Sequence, residues 1–384
     1  MAYTKTKICN YERIKATRRH CHDEDHITLR AAKPDQEGSP SQPVWSLAYQ
    51  LEMKTLPMKE TGSGNLTTIS HILLLGFGDL KELWILLFTG FLAIYIISIA
   101  TNLILVVLVM LDPHLQTPMY FFLSSLSCLE MISTSNISPV ILAGLQAGNV
   151  TISLGGCFAQ LYLFGSLATV ECFLLAAMSY DRYLAVCRPL HYPSLMDGKV
   201  CRQLVVGSWV GGFLFMGIVS LSLIALSFCG PCKIDHYFCD FQPLLELSCT
   251  DTSIVQTVTF FLSFIPASPL FLTVTSYICI TWAVLRIPSA SGRRKAFSIC
   301  SSHLTVVMLF YGTLVAVYMF PRGSTDLNPR KELSLLYTVL TPLLNPLVYS
   351  LRNQEVSKAC GRVARMVSLG GLCHQQVSSL WPTQ

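Results

Sequence analysis

The chain has 384 residues, of which 52% are hydrophobic and 13% are charged, with a net charge of +5 and a mean hydropathy of +0.51. A soluble globular domain carries roughly 25% charged residues, so about half of the expected charge is missing. The composition excludes a disordered chain, a collagen and an ordinary cytosolic enzyme, and it favours a protein that crosses a membrane several times. The small net charge gives no reason to expect a nucleic-acid partner.

The first 64 residues differ in composition from the rest of the chain. They hold four prolines and 18 of the 49 charged residues, a composition typical of a disordered segment. They lack the apolar core of a signal peptide, so the first apolar span is expected to act as the insertion signal. Met53 and Met58 are alternative starts. Residues 1–57 are interpreted as disordered or as an extension of the gene model, within an N-terminal segment that ends at residue 82.

Seven apolar segments follow, each close to the roughly 20 residues that a helix needs to cross about 30 Å of hydrocarbon. We place them at Leu83–Met110, Pro118–Leu145, Cys157–Tyr180, Gln203–Ser227, Ile254–Leu285, Ala296–Phe320 and Leu333–Leu351. The predicted fold is an all-α membrane protein with a seven-transmembrane helix bundle over residues 83–351 and a tail over residues 352–384. An odd number of spans places the two termini on opposite sides of the membrane.

The basic residues predict which side is which. One set of loops and the tail hold twelve Lys and Arg residues, whereas the opposite loops hold four. Because Lys and Arg are enriched in cytosolic loops, we expect the N-terminus to be extracellular and the C-terminus cytosolic. The glycosylation motifs at Asn65 and Asn149 agree, since both fall on the predicted extracellular side.

Five cysteines also fall on the predicted extracellular side. They are Cys157, Cys229, Cys232, Cys239 and Cys249. This side is oxidising, so a disulfide could tie the long loop between spans four and five to the start of span three. Five is an odd number, which leaves at least one thiol without a partner in this set. Spacing alone does not fix the pairing.

The spans contain two carboxylates, Glu130 in the second and Glu171 in the third. Ionisable groups inside a membrane are costly, and they are functional candidates for that reason. If the two face each other they could share a cation or a proton, with Asn102, Ser125 and Asn345 as neighbouring oxygen ligands. The alternative is that each carboxylate bonds a nearby hydroxyl. A sodium ion near Glu130 and Glu171 is the one cofactor we consider; no metal site is predicted elsewhere.

Asp181-Arg182-Tyr183 closes the third span at the predicted cytosolic end. Adjacent opposite charges at a helix end are usually interfacial anchors, but the surrounding sequence is more specific. Residues Met178–Pro193 resemble the signature of olfactory receptors, within the rhodopsin-like G-protein-coupled receptors. Four further matching stretches occur in order: Pro118–Ser124, Ser227–Pro231 with Phe238–Asp240, Lys295–His303 and Pro342–Asn353. The resemblance runs from about Asn65 to Lys358.

The resemblance implies a multi-pass plasma-membrane receptor, not an enzyme, that binds small volatile organic ligands. It would activate a heterotrimeric G protein with an olfactory stimulatory α subunit and raise cyclic AMP. Arg182 would meet the G protein once span six swings outward, and Asp181 would hold Arg182 at rest. The other positions implied to act in activation are Tyr183, Tyr277, Tyr311, Asn345, Pro346 and Tyr349.

The resemblance also implies two disulfides, Cys157 with Cys239 and Cys229 with Cys249, which leave Cys232 as the odd thiol. By similarity, the odorant site lies in the outer half of the bundle between spans three, five and six. Its predicted lining is Leu161, Phe164, Gly165, Ala168, Thr169, Phe261, Ile265, Leu314, Val315 and Tyr318. This lining is apolar with two hydroxyls and no carboxylate, which favours an uncharged hydrophobic ligand over an amine.

The alternatives to an olfactory receptor are a transporter, a membrane enzyme and a non-olfactory chemosensory receptor. A transporter would show repeated halves with interrupted spans at matching places, and we see no such repeat. A membrane enzyme would need a nucleophile and a base within the spans, and His303 near Ser301 and Ser302 is the one candidate. A non-olfactory chemosensory receptor for a small metabolite stays open, because sequence does not report the tissue of expression.

Overall fold

The computed structural model describes residues 70–78, 83–229, 233–319, 329–352, 355–356 and 358–363. Residues 1–69, with Met53, Met58 and Asn65, lie outside this range, as do Cys232 and the tail from residue 364. The side chains of Tyr318 and Tyr349 are also outside the described part, although both residues lie in helices.

All seven predicted spans coincide with helical structure. Spans one to four are α1 (Trp84–Leu111), α2 (Pro118–Ala147), α3 (Leu154–Cys187) and α5 (Gly198–Ile224), with a short α4 (Tyr192–Leu195) before α5. The loop after α5 contains α6 (Phe241–Glu246), and span five is α7 (Ser253–Leu262) with α8 (Phe264–Leu285). Span six is α9 (Ala290–Met319), and span seven is α10 (Pro329–Leu335), a π-helical turn (Leu336–Leu340) and α11 (Thr341–Arg352).

Five helices in the described part are long and apolar enough to cross a bilayer, namely α1, α2, α3, α5 and the continuous segment Ser253–Leu285. Span six contributes a shorter apolar helix over Cys300–Ala316. Span three is longer than predicted, since α3 runs from Leu154 to Cys187. The Ser153 hydroxyl accepts a hydrogen bond from the Gly156 N–H at 3.0 Å, and this cap sets the start of the helix.

Span seven shows how the membrane helices accommodate proline. Pro346 has no N–H to donate to the carbonyl of Pro342, four residues earlier. That carbonyl instead accepts hydrogen bonds from the Asn102 amide and the Ser98 hydroxyl of α1, both at 3.2 Å. The interruption is therefore satisfied by a neighbouring helix, and it joins spans one and seven.

A small sheet, which the sequence analysis did not predict, closes one end of the bundle. Its strands are β1 (His71–Leu74), β2 (Val150–Ser153) and β3 (Lys233–Ile234), in the order β2-β1-β3. β1 pairs antiparallel with β2 and parallel with β3. β1 and β2 have four residues each and come from different loops, so neither is recognisable alone. We call this the sheet end, and the opposite end, which carries Arg182, the arginine end.

The largest buried cluster lies between spans one, two, three and six. It includes Leu126 of α2, Leu175 and Met178 of α3, and Phe310 of α9, all at most 3% exposed. Large apolar side chains also cover the outside of the bundle, for example Leu214 of α5 at 65% exposure. A water-soluble protein would bury such residues, whereas in a membrane protein they face lipid.

Candidate functional site

The arginine end is organised around the buried carboxylate of Asp181. Arg182 Nε donates to Asp181 Oδ2 at 2.9 Å, and the Tyr192 hydroxyl of α4 donates to Asp181 Oδ1 at 2.8 Å. The Asp181 side chain is fully buried and that of Arg182 is 12% exposed. Both carboxylate oxygens are therefore used, and the guanidinium is held against its own helix.

Tyr192 is a functional candidate that the sequence analysis missed. Its hydroxyl donates the hydrogen bond to the second carboxylate oxygen of Asp181. Burial together with the Asp181 charge raises the pKa of Tyr192 far above its ordinary value. It remains a neutral donor at physiological pH. The signal lay within the family-like stretch Met178–Pro193, but nothing in the spacing shows that the chain folds back to Asp181 after α3 ends.

The predicted activation tyrosines occupy different environments. The Tyr277 hydroxyl of α8 lies 2.6 Å from His303 Nδ1 of α9, which joins spans five and six. Tyr311 of α9 donates to the Cys172 carbonyl of α3 at 3.5 Å, and Tyr183 stacks on Tyr180 with ring centroids 6.3 Å apart. His303 thus serves as a hydrogen-bond partner of Tyr277.

A second buried ion pair holds the C-terminal helical residues 358–363 against the bundle. Arg362 Nε donates to Asp112 Oδ2 at 2.8 Å, and His114 Nδ1 lies 2.9 Å from Asp112 Oδ1. Burial raises the pKa of Asp112, but the hydrogen bonds from His114 and Arg362 outweigh it and bring the value to about 2. Asp112 is therefore charged throughout the physiological pH range.

The intramembrane carboxylates lie together with the two predicted asparagines. Glu130 accepts a hydrogen bond from the Asn345 amide, and Glu130 and Glu171 are close enough for their charges to repel. Four buried oxygens at this centre receive no hydrogen bond from the described residues: Glu130 Oε2, Glu171 Oε1, Asn102 Oδ1 and Asn345 Oδ1. Uncompensated oxygens of this kind suit a hard cation, which prefers carboxylate and amide oxygen ligands.

Ser125, predicted as a further ligand at this centre, is engaged elsewhere. Its hydroxyl accepts a hydrogen bond from Trp209 Nε1 of α5 at 3.1 Å. Ser125 and Glu130 are five residues apart, so on a helix with 3.6 residues per turn they point in different directions. Among the described residues, no cluster of three or more His, Cys, Asp or Glu side chains could hold a metal ion.

Two disulfides fix the sheet end. Cys157 at the start of α3 is bonded to Cys239, with Cα atoms 5.4 Å apart, and Cys229 is bonded to Cys249, with Cα atoms 5.7 Å apart. Gln160 supports the first bridge, since its Oε1 accepts from the Cys239 N–H at 2.9 Å. Sequence reasoning missed Gln160, because a lone amide in an apolar span carries no recognisable pattern.

Beside the first bridge, the long loop reaches spans three and seven. The Tyr237 hydroxyl lies 2.7 Å from Ser334 Oγ, and Phe238 packs edge-on against Phe164 with centroids 5.3 Å apart. His236 is buried next to these rings, and burial together with the Lys331 charge lowers its pKa to about 3. The imidazole is therefore neutral at physiological pH, which allows it to stay packed among aromatic side chains.

Of the ten predicted ligand-lining residues, nine have described side chains, and several of these nine face a neighbouring helix or the outside of the bundle. A Cβ at Gly165 would lie 2.5 Å from Met216 Cε, so Gly165 faces span four. Phe261 and Ile265 are 65% and 46% exposed on the outside of span five, and Val315 is 52% exposed on span six. Periodicity identifies an apolar face but not the neighbour that the face meets.

The remaining lining candidates lie closer to the bundle interior. Phe164 and Thr169 are buried, and the Thr169 hydroxyl donates to the Gly165 carbonyl at 2.8 Å. Ala168 and Leu314 are half-buried, and Leu161 is buried in the cluster beneath the sheet end. Asn149, the predicted glycosylation site within the described residues, is exposed at the sheet end next to β2.

Comparison with known proteins gives a consistent result. The family model described as "Olfactory receptor" matches residues 91–368. Human olfactory receptor 6N1 is 46% identical over 80% of this chain and 99% of its own length, and human olfactory receptor 11A1 is 45% identical over 84% and 100%. Mouse olfactory receptor 5B21 is 45% identical over 79% of this chain and 95% of its own length.

The fold agrees with that assignment. The crystal structure of squid rhodopsin matches with a TM-score of 0.61 at 14% identity, over 74% of this chain and 81% of the rhodopsin chain. Rhodopsin-like architecture, apolar spans and olfactory receptor sequence therefore occur together in one multi-pass membrane protein. The chain belongs to the olfactory receptor family of G-protein-coupled receptors, which are signalling receptors and not enzymes.

Proposed function

We propose that this odorant receptor binds small, uncharged, hydrophobic odorants and activates an olfactory stimulatory G protein, which raises cyclic AMP. The observation that carries the proposal is the buried Arg182–Asp181 pair at the arginine end, together with the Tyr192 hydrogen bond. A guanidinium held by a carboxylate of its own helix is a two-state element, because the same group can be released to a partner protein. Ligand binding elsewhere in the bundle can bias that equilibrium.

We further propose that the sheet end is extracellular and the arginine end cytosolic, in the plasma membrane. The twelve-to-four distribution of Lys and Arg supports this orientation. The two disulfides support it as well, since such bonds persist in oxidising compartments. Asn149 would then be glycosylated, and residues 352–384 would form the cytosolic tail.

The proposed odorant contacts are in the outer half of spans three and six; the burial of Phe164 and Thr169 and the partial burial of Ala168 and Leu314 support them. No carboxylate lies among them, which disfavours a charged amine. Packing with one or two hydrogen bonds is the binding mode that suits such a site.

A cyclic AMP reporter screen tests the proposed function. Cells would carry versions starting at Met1 or Met58, an epitope at the N-terminus and the olfactory stimulatory α subunit, and would be exposed to a panel of volatile odorants. We expect a dose-dependent response to at least one uncharged odorant class, with the epitope stained on intact cells. Silence from both versions despite surface staining would contradict the proposed ligand class or coupling, and staining only after permeabilisation would contradict the orientation.

We propose a sodium ion at the centre formed by Glu130, Glu171, Asn102 and Asn345. The support is the set of four buried oxygens that receive no hydrogen bond from the described residues. A cation that binds only the folded receptor stabilises it by mass action. Sodium chloride should therefore raise the thermal unfolding midpoint of the purified receptor by roughly 3 °C over choline chloride.

Glu171→Gln should remove this sodium dependence, since it removes a charge from the centre while conserving shape. The matched control is Glu332→Gln, because Glu332 is exposed and remote from the centre. The same sodium-dependent rise in wild type and Glu171→Gln would show that sodium acts at another place on the receptor, and the proposed site would be wrong.

A further inference from the structure

A groove of about 570 Å³ runs between spans five and six in the half of the bundle nearer the arginine end. Its walls include Ile278, Trp282 and Leu285 of α8 and Leu304 and Met308 of α9. Ile278, Trp282 and Met308 are each at least 60% exposed, so the groove opens to the outside of the bundle. In a bilayer that side faces lipid and not water.

The groove continues onto the outer face of span six. A second cavity of about 670 Å³ shares Leu304 and Met308 with the first and extends along α9 to Arg294. The two cavities are adjacent, and together we call them the five-six groove. It is mostly apolar along its length and has an arginine at one end, so its chemistry matches an amphiphile and not a soluble metabolite.

A second arginine lies at the same end. The Arg286 guanidinium stands 3.4 Å above the ring centroid of Trp282, which is itself a wall of the groove. Arg286 and Arg294 are exposed, and neither forms an ion pair with an acidic residue in the described part of the chain. Arg293, between them in sequence, differs because it donates to the Ile287 carbonyl at 2.9 Å.

The hydroxyls in the middle of the groove do not change its apolar character. The Tyr277 hydroxyl lies 2.6 Å from His303 Nδ1, and the Thr281 hydroxyl donates to the Tyr277 carbonyl at 2.8 Å. These two hydroxyls are satisfied within the protein, whereas the buried hydroxyl of Thr273, also on the wall, has no hydrogen-bond partner among the described residues. The groove is therefore an apolar surface that extends along several helical turns. The guanidinium groups of Arg286 and Arg294 lie at one end of it.

We propose that the five-six groove binds an acidic phospholipid, with one acyl chain along Ile278, Leu304 and Met308 and the headgroup phosphate at Arg286 and Arg294. Guanidinium groups recognise phosphate oxygens by charge-assisted hydrogen bonds. Two arginines without an ion-pair partner among the described residues carry more positive charge than the single phosphate of a zwitterionic lipid neutralises. The proposal rests on the orientation proposed above, which places these arginines at the cytosolic surface, where acidic lipids are concentrated.

Quenching of Trp282 fluorescence tests the proposal in the full-length receptor. The receptor is placed in nanodiscs of phosphatidylcholine with a minor fraction of phosphatidylserine, and either lipid carries brominated chains, which quench nearby indoles. Subtraction of the signal from Trp282→Phe isolates Trp282. We expect brominated phosphatidylserine to quench Trp282 more than brominated phosphatidylcholine does at the same mole fraction.

The arginine variants make the test specific. Arg286→Gln and Arg294→Gln should each lower the preference for phosphatidylserine by about fivefold, the change that one basic side chain near a membrane surface produces. Arg202→Gln is the matched control, because Arg202 is exposed at the same end on α5 and does not line the groove. Monodisperse elution and an unchanged thermal midpoint show that each variant is folded.

Two results would overturn the proposal. Equal quenching by the two brominated lipids would show that bulk lipid fills the groove without selection. Displacement of the quenching by soluble glycerophosphoserine would show that the headgroup binds without its chain. Both leaflets of a nanodisc have the same composition, and no odorant or G protein is present. The outcome is therefore independent of the proposed orientation and signalling.

Discussion

Arg182→Ala is expected to abolish the odorant-evoked rise in cyclic AMP while surface staining stays close to that of the wild type. The guanidinium is bonded to Asp181 of its own helix and is 12% exposed at the arginine end. Its removal leaves the interior of the bundle intact but takes away the charged group available to the G protein. The measurement is the cyclic AMP reporter together with staining of the N-terminal epitope on intact cells.

Arg188→Ala provides the matched control for that experiment. Arg188 caps the C-terminus of α3 at the same end, is exposed, and takes no part in the Asp181 network. We expect its response to stay within about twofold of the wild type, as for most surface substitutions. A full response from Arg182→Ala would rule out the assigned role, and loss in both variants would point to a general effect of charge.

Tyr192→Phe tests whether the hydrogen bond from Tyr192 to Asp181 stabilises the resting state. It removes one hydrogen bond to Asp181 and leaves the packing of α4 in place. A hydrogen bond to a charged group contributes about 1.5–3 kcal/mol, so the equilibrium should shift away from the resting state by roughly tenfold or more. The expected result is higher basal cyclic AMP without odorant. Unchanged basal activity would show that Tyr192 is structural only.

Cys157→Ser or Cys239→Ser should each prevent delivery of the receptor to the cell surface. This disulfide closes a segment with a sequence separation of 82 residues. In the chain-entropy account of disulfides, such a loop contributes about 4 to 5 kcal/mol to stability, a large share of the stability of a folded protein. Loss of the bridge also detaches the aromatic rings of the long loop from span three. The measurement is surface staining relative to total protein.

Two further variants provide a smaller expected effect and a control for this experiment. Cys229→Ser breaks a bridge with a separation of 20 residues, for which the same account gives about 3 kcal/mol, so its loss of staining should be smaller. Cys128→Ser is the control, since Cys128 is a half-buried free thiol in α2. Normal trafficking of Cys157→Ser would show that the bridge is dispensable for folding.

The helical spans and the family could be predicted from the sequence because each depends on local information. A run of about 20 apolar residues must form a helix in a bilayer, since no water is present to satisfy its backbone groups. The proximity of Glu130, Asn102 and Asn345 was also predicted, because membrane polar groups are few and have to satisfy one another.

The remaining features required the tertiary structure. Ser125 was assigned to the carboxylates but accepts from Trp209, and Gly165 was assigned to the ligand but faces Met216. Neither contact was predicted, for one reason: helical periodicity gives the direction of a side chain around its own axis, but not which neighbouring helix lies in that direction.

The same limit applies to contacts between distant segments. β1 and β3 are separated by the whole of spans one to four, and Tyr192 reaches Asp181 only because the chain reverses after α3. The sequence by itself determined the membrane class, the seven spans and the family, all of which follow from composition and continuous motifs. The tertiary structure alone decided the capping sheet, the hydrogen bond from Tyr192 to Asp181 and the five-six groove, because each is formed by residues whose neighbours in space are not their neighbours in sequence.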